Sequence, residues 1–318
     1  MRWVVVGSSG YIGEALCRYL VAAGFSVCSV SRQPFGPGGV SHRQVENYCP
    51  DTCAELFSAG DRVVFAAGLS SARDCRRHPA RANEVNYQLP LAILQAAESA
   101  QAESFLYLSS VKAVVPPDGE IAGEWAGEPA PDVYGNSKWR AEQKLLASGA
   151  TIRVNILRPA AVYGEYVSSA GTSGRGAEAV KAKRAYAWRQ RFRAWGQLFP
   201  WVPATGWRSF VALEDLLSAI YLVVESNSDR ETFIAAEPQF YDLARIASVA
   251  SGRRIKSSRF GAAVLLVPAR LLALVGVKTG FLDVQRSELY SSARIKNALN
   301  WRANRRYSQY LRGLDGDR

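Results

Sequence analysis

The sequence predicts an α/β fold, a doubly wound parallel sheet with a smaller lobe at the C-terminal end. Three observations carry this. Short, continuous apolar runs recur at Trp3–Val6, Ser26–Val30, Val63–Ala67, Phe105–Leu108 and Ile152–Leu157. They are rich in β-branched and aromatic residues and short enough for strands buried on both faces. Helical periodicities separate several of them, and strand-helix alternation implies crossovers and a parallel sheet. The first run also breaks into a glycine-rich turn before a helix, Gly7-Ser8-Ser9-Gly10-Tyr11-Ile12-Gly13.

In order, Ile12, Leu16, Tyr19 and Leu20 share one helical face after that turn, and Gly24 ends the helix. Strand, glycine turn and helix N-terminus together make a phosphate cradle, because bare backbone and a positive helix end suit a pyrophosphate. The spacing is G-x-x-G-x-x-G rather than G-x-G-x-x-G. The second strand ends in Ser31-Arg32. An acid here would bind a ribose 2′-hydroxyl, whereas Arg32 suits a 2′-phosphate, which favours NADP over NAD. Gly36-Pro37-Gly38-Gly39 reads as a loop, and Ala66-Ala67-Gly68 closes the next strand with small residues. Ala80 to Ala100 reads as one helix containing Asn86, and Phe105–Leu108 delivers Ser109 and Ser110 at a strand's C-terminal end, where open α/β sheets bind ligands.

A loop from Val115 to Pro131 leads to Tyr134-Gly135-Asn136-Ser137-Lys138. Tyr and Lys four apart lie on one helix face. An ammonium beside a phenol should favour the phenolate and lower its pKa from about 10, so that Tyr134 could trade a proton with a carbonyl or alcohol. The pair alone is a common surface arrangement. Its company, the glycine turn and the Ser-Ser strand end, gives it weight.

From Glu165 the pattern changes. Gly171 to Gly176 reads as a loop. Ala185, Trp188, Phe192 and Trp195 form one apolar helical face among Lys181, Lys183, Arg184, Arg189, Arg191 and Arg193. Aromatics among basic residues suit nucleic acid, but a helix docked by its aromatic face with its basic face in water or near substrate phosphates accounts for them more simply. We place the dinucleotide-binding domain at 1–164 and 206–228, and a substrate-binding lobe at 165–205 and 229–318.

The chain has 318 residues, 48% hydrophobic and 21% charged, as in ordinary globular proteins, and a net charge of +11. That charge suits a phosphate-bearing small molecule, with nucleic acid and anionic lipid as the costlier readings. Five cysteines without Cys-x-x-Cys spacing point to reduced thiols in a cytoplasm, and two histidines argue against a metal site. No signal peptide precedes the first strand. The apolar run Ala262 to Val277 holds Pro268 and Arg270 and falls short of the roughly 20 residues of a membrane span, so we read it as a core helix without stable membrane insertion.

Assembled in order, Gly7/Gly10/Gly13, Val85-Asn86, Leu108-Ser109-Ser110-Val111-Lys112, Tyr134 to Lys138, Leu157-Arg158-Pro159 with Val162-Tyr163-Gly164, Arg208-Ser209-Phe210-Val211 with Asp215, and Leu299-Asn300-Trp301 resemble one family. It is the extended short-chain dehydrogenase/reductase superfamily, and within it the NAD(P)-dependent nucleotide-sugar epimerase/dehydratase group of UDP-glucose 4-epimerase-like enzymes. The resemblance implies a Rossmann-type fold and hydride transfer between a substrate carbon and nicotinamide C4. In the epimerases the cofactor oxidises sugar C4, the ketone turns over, and hydride returns to the other face. Tyr134 would be the acid/base, Lys138 would hold the nicotinamide ribose, and Ser110 would bond the reacting oxygen. The cofactor, NADP or alternatively NAD, would lie against Gly7, Ser9, Gly10, Tyr11, Ile12, Gly13, Ser31, Arg32, Ala66, Ala67, Gly68, Asn86, Leu108, Tyr134, Lys138 and Pro159. Substrate would meet Ser110, Tyr134, Ala161 and the diphosphate-binding Arg208. Relatives are often homodimers, and the Ala92-to-Ala100 and Trp139-to-Ala147 helices are the candidates for that interface.

The chain also departs from the pattern. Dehydratases follow their catalytic Ser/Thr with Asp-Glu, and here Val111-Lys112 stand there, which argues against 4,6-dehydration. Ala161 replaces an Asn that contacts the nucleotide diphosphate, and Ala113-Val114-Val115 replaces Val-Tyr-Gly. Arg32 suits a net reductase better than an epimerase with tightly held NAD. A nucleotide sugar is the leading substrate, an NADPH-dependent reductase of a non-sugar carbonyl the alternative, and a non-catalytic NADP-binding regulator a third reading.

Overall fold

The structure, a computed structural model, describes residues 1–48, 50–164, 200–265 and 282–313, with positions 194 and 267. Its main sheet has seven strands in the order Thr232–Ala235, Arg153–Pro159, Ser104–Leu108, Arg62–Phe65, Arg2–Val6, Ser26–Ser31, Ser41–Gln44. Every neighbouring pair is parallel. The order reverses between Arg2–Val6 and Arg62–Phe65, and a crevice opens there beyond the strands' C-terminal ends. This is the doubly wound sheet that the strand spacing predicts.

Alternation along the first strand shows why the sheet needs cover on both faces. Trp3 and Val5 join a core with Leu16 and Leu20 of the Tyr11–Ala22 helix and Leu216 and Ile220 of the Leu213–Glu225 helix. Val4 and Val6 face the other way, toward Ile93 and Ala97 of the Leu89–Ser99 helix and Ala141 and Leu145 of the Val133–Leu146 helix. Successive strand side chains point to opposite faces, so an unbroken apolar run buries on both.

Three findings differ from the sequence reading. Ser41–Gln44, which that reading leaves without a strand, closes one edge of the main sheet. Thr232–Ala235, which that reading gives to the lobe, is the sheet's edge strand and pairs with Ile156–Pro159. The single helix expected over Ala80 to Ala100 is three pieces: Pro79–Asn83, a π-helical turn at Glu84–Gln88, and Leu89–Ser99. One extra residue creates a π turn and shifts the apolar pattern across it by about 100°, which the few apolar positions on either side do not reveal.

Beyond the main sheet, Ala161–Tyr163, Arg208–Ala212 and Phe240–Tyr241 form a three-stranded sheet. Leu289–Tyr290 pairs with Ile121–Ala122, which brings the end of the chain beside the loop after Ser110. The Leu299-Asn300-Trp301 element is a latch. Trp301 is buried, and its Nε1 donates to the Asp215 carbonyl and to Ser218 Oγ, both at 3.0 Å. The Asp215 carboxylate accepts the Asn304 and Arg305 amides at 3.1 and 2.9 Å. Cys17, Cys28, Cys53 and Cys75 are buried and not joined in disulfides. Among the described residues no helix is long and apolar enough to cross a membrane. Cys49, the Gly171–Gly176 loop, the face of Ala185, Trp188, Phe192 and Trp195, and most of Ala262–Val277 lie outside the described residues.

Candidate active site

The glycine turn closes the crevice on one side. Gly7 takes φ +90°, and a Cβ there would fall 2.4 Å from the Ala67 amide nitrogen, so the turn can touch Ala66-Ala67-Gly68 only without a side chain. Gly10 N-caps the Tyr11–Ala22 helix and supplies no side-chain acceptor. The helix's first amides and its positive end are thereby left for an anion. The Tyr11 hydroxyl donates to the Gly164 carbonyl at 2.9 Å, and Ile12 packs against the core, so both hold the turn by their side chains. Ser9 is exposed. Ser8 Oγ in the turn and Ser109 Oγ at the facing strand end are buried and make no hydrogen bond within the chain. A buried hydroxyl without a partner costs about 1–3 kcal/mol, and a polar ligand would relieve it.

Tyr134 reaches the crevice because its helix starts tightly. Asp132 caps it by accepting the Tyr134 and Gly135 amides at 3.1 and 3.2 Å. A Cβ on Gly135 would meet the Lys112 carbonyl oxygen at 2.2 Å, so this glycine seats the helix on the turn that follows Ser110. Ser110 is near enough to the Tyr134 phenol to draw its pKa down, against the effect of burial. Ser110 Oγ already accepts the Lys112 amide at 3.1 Å, so its own proton is available to the phenol oxygen.

Lys138 is 4% exposed. Its Nζ donates to the Leu108 carbonyl at 3.0 Å and lies 4.6 Å from the centre of the Tyr107 ring. Burial lowers its pKa to about 8, against the opposing pull of Glu142 and Cys75. The expectation that the phenol pKa falls is not met. Burial raises it, Ser110 works the other way, and Cys75, Asp132 and Glu142 add to the rise. Desolvation outweighs local charge here because the site lies in the interior, which a helical spacing cannot show.

Behind Lys138 stands a neutral clamp. Asn86 Oδ1 accepts the Leu69 amide at 2.8 Å, while its Nδ2 donates to the Leu69 carbonyl at 3.2 Å and to Ser137 Oγ at 3.1 Å. The Tyr107 hydroxyl donates to the Asn86 carbonyl at 2.9 Å, and Cys75 Sγ to the Leu69 carbonyl at 3.3 Å. A Cβ on Gly68 would lie 3.3 Å from both Asn86 Oδ1 and Lys138 Nζ, so the Ala66–Gly68 wall, Asn86 and Lys138 meet at one place. Neither Cys75 nor Ser137 carries a sequence signal for this position.

The remaining predicted residues spread along the crevice. Ser31 is buried and its Oγ accepts the Gln33 amide at 3.2 Å, while Arg32 is exposed at the C-terminal end of its strand. Pro159 is buried at the end of its strand, and Ala161 is exposed. Arg158, beside Pro159, is structural. It pairs through two hydrogen bonds with Glu142 of the Tyr134 helix, at 2.9 and 2.6 Å, and donates to the Glu124 carbonyl at 2.8 Å. Arg208 Nη1 donates to the Trp207 carbonyl at 3.0 Å and to the Arg286 carbonyl. Its Nε lies 4.0 Å from Glu288 Oε2, which also pairs with Lys112. Glu288 was not among the sequence candidates.

A family model described as the NAD dependent epimerase/dehydratase family matches residues 3–236. Among curated proteins, GDP-6-deoxy-D-mannose reductase of Pseudomonas aeruginosa is 30% identical over 172 residues, covering 50% of this chain and 51% of the relative. A 4-hydroxy-2-methyl-3-oxo-4-farnesyl-3,4-dihydroquinoline-1-oxide ketoreductase of Stigmatella aurantiaca is 29% identical over 181 residues, covering 52% and 51%. The chain thus spans about half the length of the curated relatives it matches. Among solved structures, UDP-glucose 4-epimerase of Thermotoga maritima with UDP-glucose superposes with TM-score 0.70 at 18% identity, over 98% of this chain and 96% of the other. RMD from Pseudomonas aeruginosa complexed with NADPH gives TM-score 0.66 at 21% identity, over 98% and 97%. At such identities the superpositions speak to the fold.

Proposed function

The chain belongs to the NAD dependent epimerase/dehydratase family, and from that premise we propose that it is an NAD(P)-dependent oxidoreductase or epimerase acting at a carbonyl or alcohol carbon. The leading substrate is a nucleotide-diphosphate sugar reacting at C4. One observation carries the reading: Lys138 donates to the Leu108 carbonyl two residues before Ser110, and the Tyr134 helix seats on the turn after Ser110, at strand ends beside an uncapped glycine turn. When bound, the nicotinamide cofactor supplies or accepts the hydride.

The chain's own residues account for the rest. The Gly7-to-Gly13 turn would hold the pyrophosphate, Ser8 and Ser109 offer unspent hydroxyls, and Arg32 favours a 2′-phosphate, hence NADP with NAD as the alternative. Ser110 orients the reacting oxygen and Tyr134 exchanges a proton with it. Lys138, cationic below its pKa of about 8, supplies a positive charge beneath the site. A phenol is protonated at neutral pH and burial raises the Tyr134 pKa further, so the resting side chain holds the proton that carbonyl reduction would need. Lys112 stands where dehydratases carry an acid, so water elimination is not part of the proposal.

Tyr134→Phe tests this. The variant should bind NADPH as the wild type does, by fluorescence titration, while turnover falls about 10³-fold. Full turnover would refute the assignment.

A second reading, NADPH-dependent reduction of a non-sugar carbonyl, is favoured by one observation: the Glu288 carboxylate lies 4.0 Å from the arginine that would bind a diphosphate. The matching half of the Stigmatella ketoreductase supports it as well. Saturable thermal stabilisation by UDP or a UDP-sugar would argue against it.

A further inference from the structure

We propose that Glu288 is a specificity-determining residue that competes with the substrate's diphosphate for Arg208, and that a diphosphate enters only because Lys112 holds the Glu288 carboxylate as Arg208 turns to the ligand. The inference rests on the nucleotide-diphosphate reading and deepens it. Glu288 is fixed in place by its backbone. Its amide donates to the Trp207 carbonyl at 2.9 Å, and the next two residues pair with Ile121 and Ala122. The segment before it is pinned to the same loop, since Arg286 Nη2 donates to the Pro116 carbonyl at 2.6 Å and the Ser287 amide to Asp118 Oδ1 at 2.7 Å. These contacts keep the Glu288 carboxylate within side-chain reach of both Arg208 and Lys112.

Its Oε2 serves two cations, the Lys112 ammonium in contact and the Arg208 Nε at 4.0 Å. Arg208 also spends Nη1 on the Trp207 and Arg286 carbonyls, so its fork is committed toward the protein. A diphosphate arriving at Arg208 brings anionic oxygens beside an existing carboxylate, and like charges at such range repel. Lys112 is already in place to hold Glu288 when Arg208 turns to the ligand. Lys112 belongs to the Val111–Ala113 turn, and its amide bonds Ser110 Oγ, so the exchange takes place next to the reacting centre. The outcome is a filter. Weakly anionic ligands fail to displace Glu288, and a diphosphate succeeds at reduced affinity.

The test is isothermal titration of the full chain, preloaded with NADP⁺, with UDP as the probe. Glu288→Gln keeps the side chain's shape and removes its charge. UDP should bind the variant about 3- to 10-fold tighter than the wild type, with a steeper loss of affinity in salt. Wild-type binding that Glu288→Gln leaves equal or weakens would overturn the competition while leaving the diphosphate reading intact. Absence of UDP binding to both proteins would overturn the two together. Lys112→Ala tests the same exchange from the other side, for it leaves Glu288 wholly to Arg208. UDP should then bind about threefold weaker, and unchanged affinity would count against the proposal even if Glu288→Gln misfolds.

Discussion

Lys138 and Arg208 are both cations assigned to the site, yet the two are held in opposite ways. Lys138 is buried, bonded to a main-chain carbonyl and walled by the neutral Asn86 clamp. Arg208 is partly exposed and sits in a chain of charges that runs through Glu288 to Lys112. Neutral, desolvated contacts leave a group one position, because any other leaves a buried polar atom unpaired. Exposed ion pairs are worth little and exchange easily. The Lys138 wall suits a fixed chemical step, and the Arg208 wall suits selection among ligands.

The comparison breaks first at the scaffold beneath Tyr134. If the buried region tolerates charge only when it is paired, Arg158→Ala should strand Glu142, which is 0% exposed, and cost about 3–5 kcal/mol in urea unfolding. A loss under 1 kcal/mol would mean the interior tolerates an unpaired charge, and the contrast would fail.

Next comes pH. A lysine with a folded pKa of about 8, against an ordinary 10.5, binds fewer protons in the folded chain. Its burial penalty is therefore in full force below pH 8 and is relieved as pH rises toward about 10.5. Relative to Lys138→Met, the wild type should gain on the order of 2 kcal/mol between pH 7 and pH 10. Parallel stability curves for the two proteins would show that Lys138 is more hydrated than its surroundings imply.

Arg32 gives the smallest effect and sharpens the contrast, being an exposed charge on the cofactor side. Arg32→Ala should raise the Michaelis constant for NADPH about tenfold, roughly 1.4 kcal/mol, and leave that for NADH unchanged. Equal changes for both cofactors would assign Arg32 to the loop and not to a 2′-phosphate.

The same contrast explains what could be read from the residues. Five of the seven main-sheet strands, the glycine turn and the Tyr134 helix depend on neighbours in sequence, through apolar runs, turn chemistry and helical spacing, and they were legible. The upward shift of Tyr134 was not, since desolvation is a property of the assembled interior. Glu288 meets Lys112 across 176 positions, a pairing that no local pattern announces. Thr232–Ala235 was hidden for a similar reason: four residues after a helix carry no mark of the strand that they will join.

The π turn at Glu84–Gln88 has a consequence for tracing descent among such chains. It houses one residue more than an α-helix of equal rise, and each residue of a helix turns the backbone by about 100°. Deleting one residue there would rotate the preceding turns against Leu89–Ser99 and carry a neighbour into the place where Asn86 grips Leu69. A gap slipped into an alignment at this helix would do the same on paper. Two chains could then be scored as sharing a residue that, in space, points in different directions.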